Sequence, residues 1–104
     1  MSKKEIEWEG NTLKLFSEKL PNDVKVKFAL DLDAVSEGAE PYSRYKIMKG
    51  MDQVIELIKN GKPAYRLVYT IRENKVHVLN VFSKTSTGTD KKHIDTIKVR
   101  AKSL

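Results

Sequence analysis

Apolar residues recur along this chain with two different periods. Between positions 22 and 36, Val24, Phe28, Leu32 and Val35 are spaced three or four apart, the spacing of one helix face. Pro21 suits the first turn of that helix and Gly38 its stop. Just upstream, Asn11 suits the N-cap of a short helix that places Leu13, Phe16 and Leu20 on one face. The two helices meet at Leu20-Pro21 and predict a helical hairpin. Before them EIEW, residues 5–8, alternates and predicts a short edge strand. Residues 39–52, AEPYSRYKIMKGMD, are irregular and rich in turn formers. QVIELI then reads as a strand, and NGKP as a turn. From Ala64 the chain alternates, turns at Glu73-Asn74, and alternates again to Lys84. A polar loop, TSTGTD, follows; its Thr89 or Asp90 can cap a last helix with Ile94, Ile97 and Ala101 as its apolar stripe. Helices, then a meander of strands, then a helix predict an α+β fold with a small antiparallel sheet.

The hairpin predicts its own faces. A two-residue turn at Glu73-Asn74 sets Arg72 opposite Lys75 and Tyr69 opposite Val78. Tyr65, Leu67, Tyr69 and Ile71 then share a face with Val76, Val78 and Phe82 and pack under the helices. The other face carries Arg66, Val68, Thr70 and Arg72, with His77, Leu79 and Val81. This mixed face is expected to be partly open, with Arg66 at its centre rather than in the core. The same register sets Arg66 opposite Val81, three residues before Lys84. Two readings of Arg66 stand side by side. It converges with Lys84 on one anion, its planar fork matching phosphate, or it pairs with Glu56 of the preceding strand.

Composition narrows the chemistry. The 104 residues fit one domain, 1–104. There is no cysteine, so disulfides, thiol nucleophiles and thiolate metal sites are excluded. Only His77 and His93 supply imidazole, and no metal or other cofactor is expected. No stretch approaches an apolar membrane span, the N-terminus lacks the apolar run of a signal peptide, and the absence of cysteine fits a reducing cytoplasm. The net charge of +6 is unevenly placed: residues 1–43 carry −3 and residues 44–104 carry +9. A basic half on a mildly acidic one predicts a surface that faces a polyanion.

The segments YKIMKG at 45–50, VIEL at 54–57, YRLVY at 65–69, VHVLNVFSKTS at 76–86, TGTD at 87–90 and HIDTIKVR at 93–100 together resemble RelE/HigB-type toxins of bacterial toxin–antitoxin systems. The nearest branch is the phage-derived HigB-like group, whose start is also similar to WEGNTLKLFSEKLPNDV. The resemblance covers nearly the whole chain. It implies a RelE-like fold and a ribosome-dependent mRNA interferase, an endoribonuclease in which a ribose 2′-hydroxyl attacks the adjacent phosphate. It implies ribosome and mRNA as partners, and an antitoxin, in this branch usually of the helix-turn-helix type. Arg66 matches the family's phosphate-stabilising arginine. Lys84 matches its cleft lysine, and His93 lies near a C-terminal tyrosine or histidine of some relatives.

This chain departs from the pattern in two places. Glu56 stands on a strand where some relatives carry extra basic residues, and Thr85 replaces a second lysine after Lys84. Glu56 is therefore the candidate base. Lys49, Lys91, Lys92 and Arg72 are the candidate RNA contacts, although lysines on the last helix also suit a plain solvated face. Two other functions remain open: a ParE-like toxin directed at gyrase, and a non-catalytic module that binds nucleic acid or a protein partner.

Overall fold

In the computed structural model, which describes residues 3–84 and 91–104, the apolar spacing of the second helix becomes one buried stripe. α1 is Thr12–Lys19 and α2 is Asn22–Ser36. Val24, Phe28, Leu32 and Val35 of α2 are all buried. α2 ends where Gly38 takes φ +87°, which suits a residue without Cβ. Gly38 N–H donates to the Val35 carbonyl at 3.0 Å and Ala39 N–H to that of Ala34 at 2.9 Å, the Schellman arrangement that closes a helix. α1 departs from expectation. Its inward residues are Thr12, Leu15 and Phe16, while Leu13 is 50% exposed. Asn11 makes no capping bond; its Oδ1 instead accepts from the Arg100 guanidinium at 3.0 Å.

Five strands form one sheet. They are β1 Glu5–Trp8, β2 Arg44–Ile47, β3 Val54–Lys59, β4 Ala64–Arg72 and β5 Lys75–Lys84, and α3 is Lys91–Lys102. The spatial order is β1-β5-β4-β3-β2. The sheet is mixed, which corrects the expected antiparallel arrangement: β1 runs parallel to β5, and every other pair is antiparallel. The helical hairpin that follows β1 lies over one face, so β1 and β2 end on opposite edges. β2 falls inside the stretch expected to be irregular. Its four residues are all exposed, and pairing with β3 makes it a strand. The caps expected at Thr89 and Asp90 lie outside the described residues.

The hairpin turn is as expected. Glu73 and Asn74 have φ of 52° and 62°, the type I′ geometry that matches strand twist. Arg72 faces Lys75 and Tyr69 faces Val78. Beyond that point the register shifts by one residue. Tyr69 pairs with Val78 but Val68 pairs with Asn80, leaving Leu79 as a β-bulge. Arg66 therefore faces Phe82, not Val81. The two residues also exchange faces. Val81 joins the core under α1 and α2, with Leu57, Leu67, Tyr69, Val76 and Val78. Phe82 joins a second core with Val54, Val68, Leu79, Met48 and Ile97 of α3. The face expected to be open is thus covered in large part by α3.

Candidate functional site

Arg66 lies on the face that α3 covers, and only 8% of its surface is exposed. The expectation that it avoids the core is corrected here. Its guanidinium donates from Nη1 to the Tyr65 carbonyl at 3.0 Å, and Nε lies 4.0 Å from Glu56 Oε2. Glu56 has no exposed surface. Its register partners are Lys46 on β2 and Val68 on β4, so all three side chains share the Arg66 face. Lys46 Nζ approaches Glu56 Oε1 to 3.4 Å from an exposed position. A buried carboxylate between two cations holds both in place while limiting what each can offer another anion.

Lys84 reaches the same face through the bulge. Phe82 pairs with Arg66, and Lys84 is two residues further along β5, on the diagonal. Diagonal neighbours stand about 7–8 Å apart, so Lys84 and Arg66 are neighbours on one face. The uninterrupted register would have sent Lys84 to the opposite face. The single extra residue at Leu79 therefore aligns the pair.

His93 enters from the first turn of α3. Its ring stacks on Phe82 with centroids 4.1 Å apart and planes 11° from parallel. Asn80 Oδ1 accepts from the Val81 N–H at 2.9 Å, which turns its Nδ2 toward His93 Nδ1 at 3.4 Å. That contact sets the Asn80 amide against the Nδ1 edge of the ring. His93 also lines a cleft of about 500 Å³ between α1 and α3, together with Lys92, Arg100, Lys19 and Tyr65. His77 is engaged elsewhere, 3.0 Å from Glu9 Oε2 at the β1 edge.

The remaining predicted residues are scattered. Lys49 lines a second cleft with Lys46, Met51 and Lys98. Arg72 lines a third with Met51, Lys98 and Lys102. Six residues of strand, about 20 Å, separate Arg72 from Arg66, so they cannot share one phosphate. Lys91 and Lys92 are exposed at the start of α3. Sequence reasoning missed Lys46. The signal was present as the alternation of Arg44 and Lys46 with Tyr45 and Ile47, but it is too short to identify a strand without its partner.

Among the described residues no cluster of His, Asp and Glu is arranged to hold a metal ion, and no helix is long and apolar enough to cross a membrane. What the face carries instead is two cations at diagonal positions, a buried carboxylate and an imidazole. A comparison with protein families finds that the model described as "Phage derived protein Gp49-like (DUF891)" matches residues 16–102. The chain belongs to this family, a toxin–antitoxin-associated, RelE/HigB-like group, and its three helices and five-stranded sheet are compatible with a RelE-like fold. No curated protein matches the sequence.

Proposed function

We propose that this member of the Gp49-like family is the toxin of a toxin–antitoxin system and cuts messenger RNA on the ribosome, in the cytoplasm. The observation that carries this reading is the placement of Arg66 and Lys84 on one face, diagonal to each other across the β4–β5 pair. In the reaction a ribose 2′-hydroxyl loses its proton and attacks the adjacent phosphorus. The bond from phosphorus to the 5′-oxygen breaks, and that oxygen takes up a proton. Charge builds on the phosphate oxygens, where a guanidinium fork and an ammonium stabilise it. Arg66 and Lys84 fill those two places. Glu56, with no exposed surface, acts by positioning Arg66 and Lys46. His93 is the nearby imidazole suited to proton exchange or to stacking on a base. Lys49, Lys91, Lys92 and Arg72 contact RNA phosphates outside the reacting one. With so few groups at the site, ordering of the message by the ribosome supplies much of the rate. The partner that restrains the toxin is an antitoxin of the helix-turn-helix type.

Primer extension on an mRNA in a purified translation system, with and without ribosomes, tests this. Cuts that require ribosomes are expected. They should fall by about 10²-fold or more in Arg66→Lys, which keeps the charge and loses the fork. Cutting that survives in the Arg66→Ala/Lys84→Ala double variant would refute the site. The burial of Arg66 beside Glu56 favours a second reading, a non-catalytic partner-binding or gyrase-directed toxin. Under it the folded wild type makes no cuts.

A further inference from the structure

The sheet ends at β1 on one side and at β2 on the other. Beyond β1, the free edge of β5 is covered by the chain itself. Arg100 donates to the Leu79 carbonyl at 2.8 Å, and the Asn80 side chain accepts from Val81 N–H. β2, the strand at the other edge, has no such cover. Among the described residues, no backbone hydrogen bond reaches the outer side of positions 44–47. Ile47 is 67% exposed and Tyr45 40%, and Tyr42 just before the strand is 78% exposed. The face of Tyr45 and Ile47 continues inward to Ile55, the register partner of Ile47, and to Ile71. Two depressions of about 300 and 220 Å³ lie there, lined in part by Pro41, Tyr45, Ile55 and Ile71, and by Ile47, Ile55 and Ile71. Arg44 and Lys46 project from the opposite face.

A strand with a bare edge, an apolar side and a cationic side specifies what can pair with it. A second copy of this chain is disfavoured in the registers that pair β2 along its length. A twofold axis between two β2 strands must bring like-facing residues together. Centred on Tyr45, it sets Arg44 of each copy against Lys46 of the other. Centred on Lys46, it sets the two Lys46 ammoniums face to face. Like charges directly opposite each other destabilise a strand pair. We propose that β2 is the docking edge for an extended segment of a protein partner, one that alternates acidic and apolar residues and joins the sheet as an outer strand. Its apolar side chains cover Tyr45, Ile47 and Ile55, and its carboxylates meet Arg44 and Lys46. A carboxylate opposite Lys46 competes with Glu56 for that ammonium, so an occupied edge alters the setting of Arg66. The inference deepens the function proposed above, resting on it only in assigning the segment to the toxin's inhibitory partner.

The test is a titration of the isotope-labelled full chain with an alternating Glu-Val heptapeptide, followed by amide NMR, with a Lys-Val heptapeptide as control. Saturable shifts are expected at positions 44–47 and at their β3 partners, with none from the lysine peptide. Arg44→Glu should weaken binding about tenfold, and Ile47→Asp should remove it. Ile47 is exposed, so that variant retains the fold and its amide spectrum shows it. Absence of saturation at millimolar peptide overturns the proposal. So do shifts centred on positions 80–84, or shifts at β2 that follow protein concentration alone, the mark of self-association. Cleavage by wild type and by Ile47→Asp is measured separately. Loss of cleavage in both leaves the docking result standing and removes the ribonuclease reading, whereas loss of peptide binding with cleavage intact removes only the docking edge.

Discussion

Removal of Arg66 tests whether Glu56 depends on it. Arg66→Met keeps most of the side-chain volume and deletes the charge beside a carboxylate that has no exposed surface. At 4.0 Å the lost attraction is about 4 kcal/mol for an effective dielectric constant near 20. Two effects reduce it. Arg66 itself no longer has to be desolvated, and Lys46 remains 3.4 Å from the other carboxylate oxygen, although solvent screens an ammonium that is 56% exposed. The net expectation is a loss of about 2–3 kcal/mol, or a fall in Tm of roughly 10–20 °C. Changing both partners, Glu56→Leu with Arg66→Met, removes the buried carboxylate together with its buried cation and should return stability to within about 1 kcal/mol of wild type. Urea unfolding followed by circular dichroism gives the four midpoints of the cycle, and a coupling of about 1.5–3 kcal/mol is expected. An Arg66→Met midpoint equal to that of wild type would refute the reasoning. So would a double variant as unstable as the sum of the single ones.

Three further outcomes are expected. Asp31 is buried and accepts from Tyr42 N–H at 2.8 Å, from Ser43 N–H at 2.9 Å and from the Ser43 hydroxyl, so Asp31→Ala should cost about 3 kcal/mol; amide exchange should show positions 42–47 losing protection before the rest of the sheet. Glu73 occupies the left-handed region at φ 52°, which asparagine tolerates better; Glu73→Asn should raise stability by about 0.5–1 kcal/mol in urea unfolding. Burial, then the nearby Tyr45 and Asp31, pushes the Tyr69 phenol up to about 12 from 10.0. The folded chain thus holds this proton more tightly than the unfolded chain does. Stability is then fully present below pH 10 and is lost as pH rises toward 12; unfolding midpoints across that range should fall in wild type and flatten in Tyr69→Phe.

Much of the candidate face was legible because its parts are local. The type I′ turn at Glu73-Asn74 sets the register of the residues nearest to it, and the α2 stripe follows from helical spacing alone. Arg66, Lys84, Glu56 and His93 were named from the hairpin and from family resemblance. Lys46 was missed because the alternation of β2 spans only four residues, too short a period to identify a strand without its partner.

The sequence by itself determined which segments are helix and which form the hairpin, because period and turn chemistry act over a few residues. Only the tertiary structure decided the rest. β1 lies parallel to β5 because the helical hairpin carries the chain across one face to the opposite edge. Val78, Leu79, Val81 and Phe82 are apolar on both sides of an Asn80 that bonds its neighbour's backbone, so their pattern has no single phase. Packing against α1 and α2 on one face and α3 on the other chose the phase by inserting the Leu79 bulge. That inserted residue sends Phe82 to His93, brings Lys84 to the face of Arg66, and leaves Arg66 largely buried beside Glu56. A one-residue shift exchanges the two faces of a strand, and its free energy comes from contacts far apart in the chain.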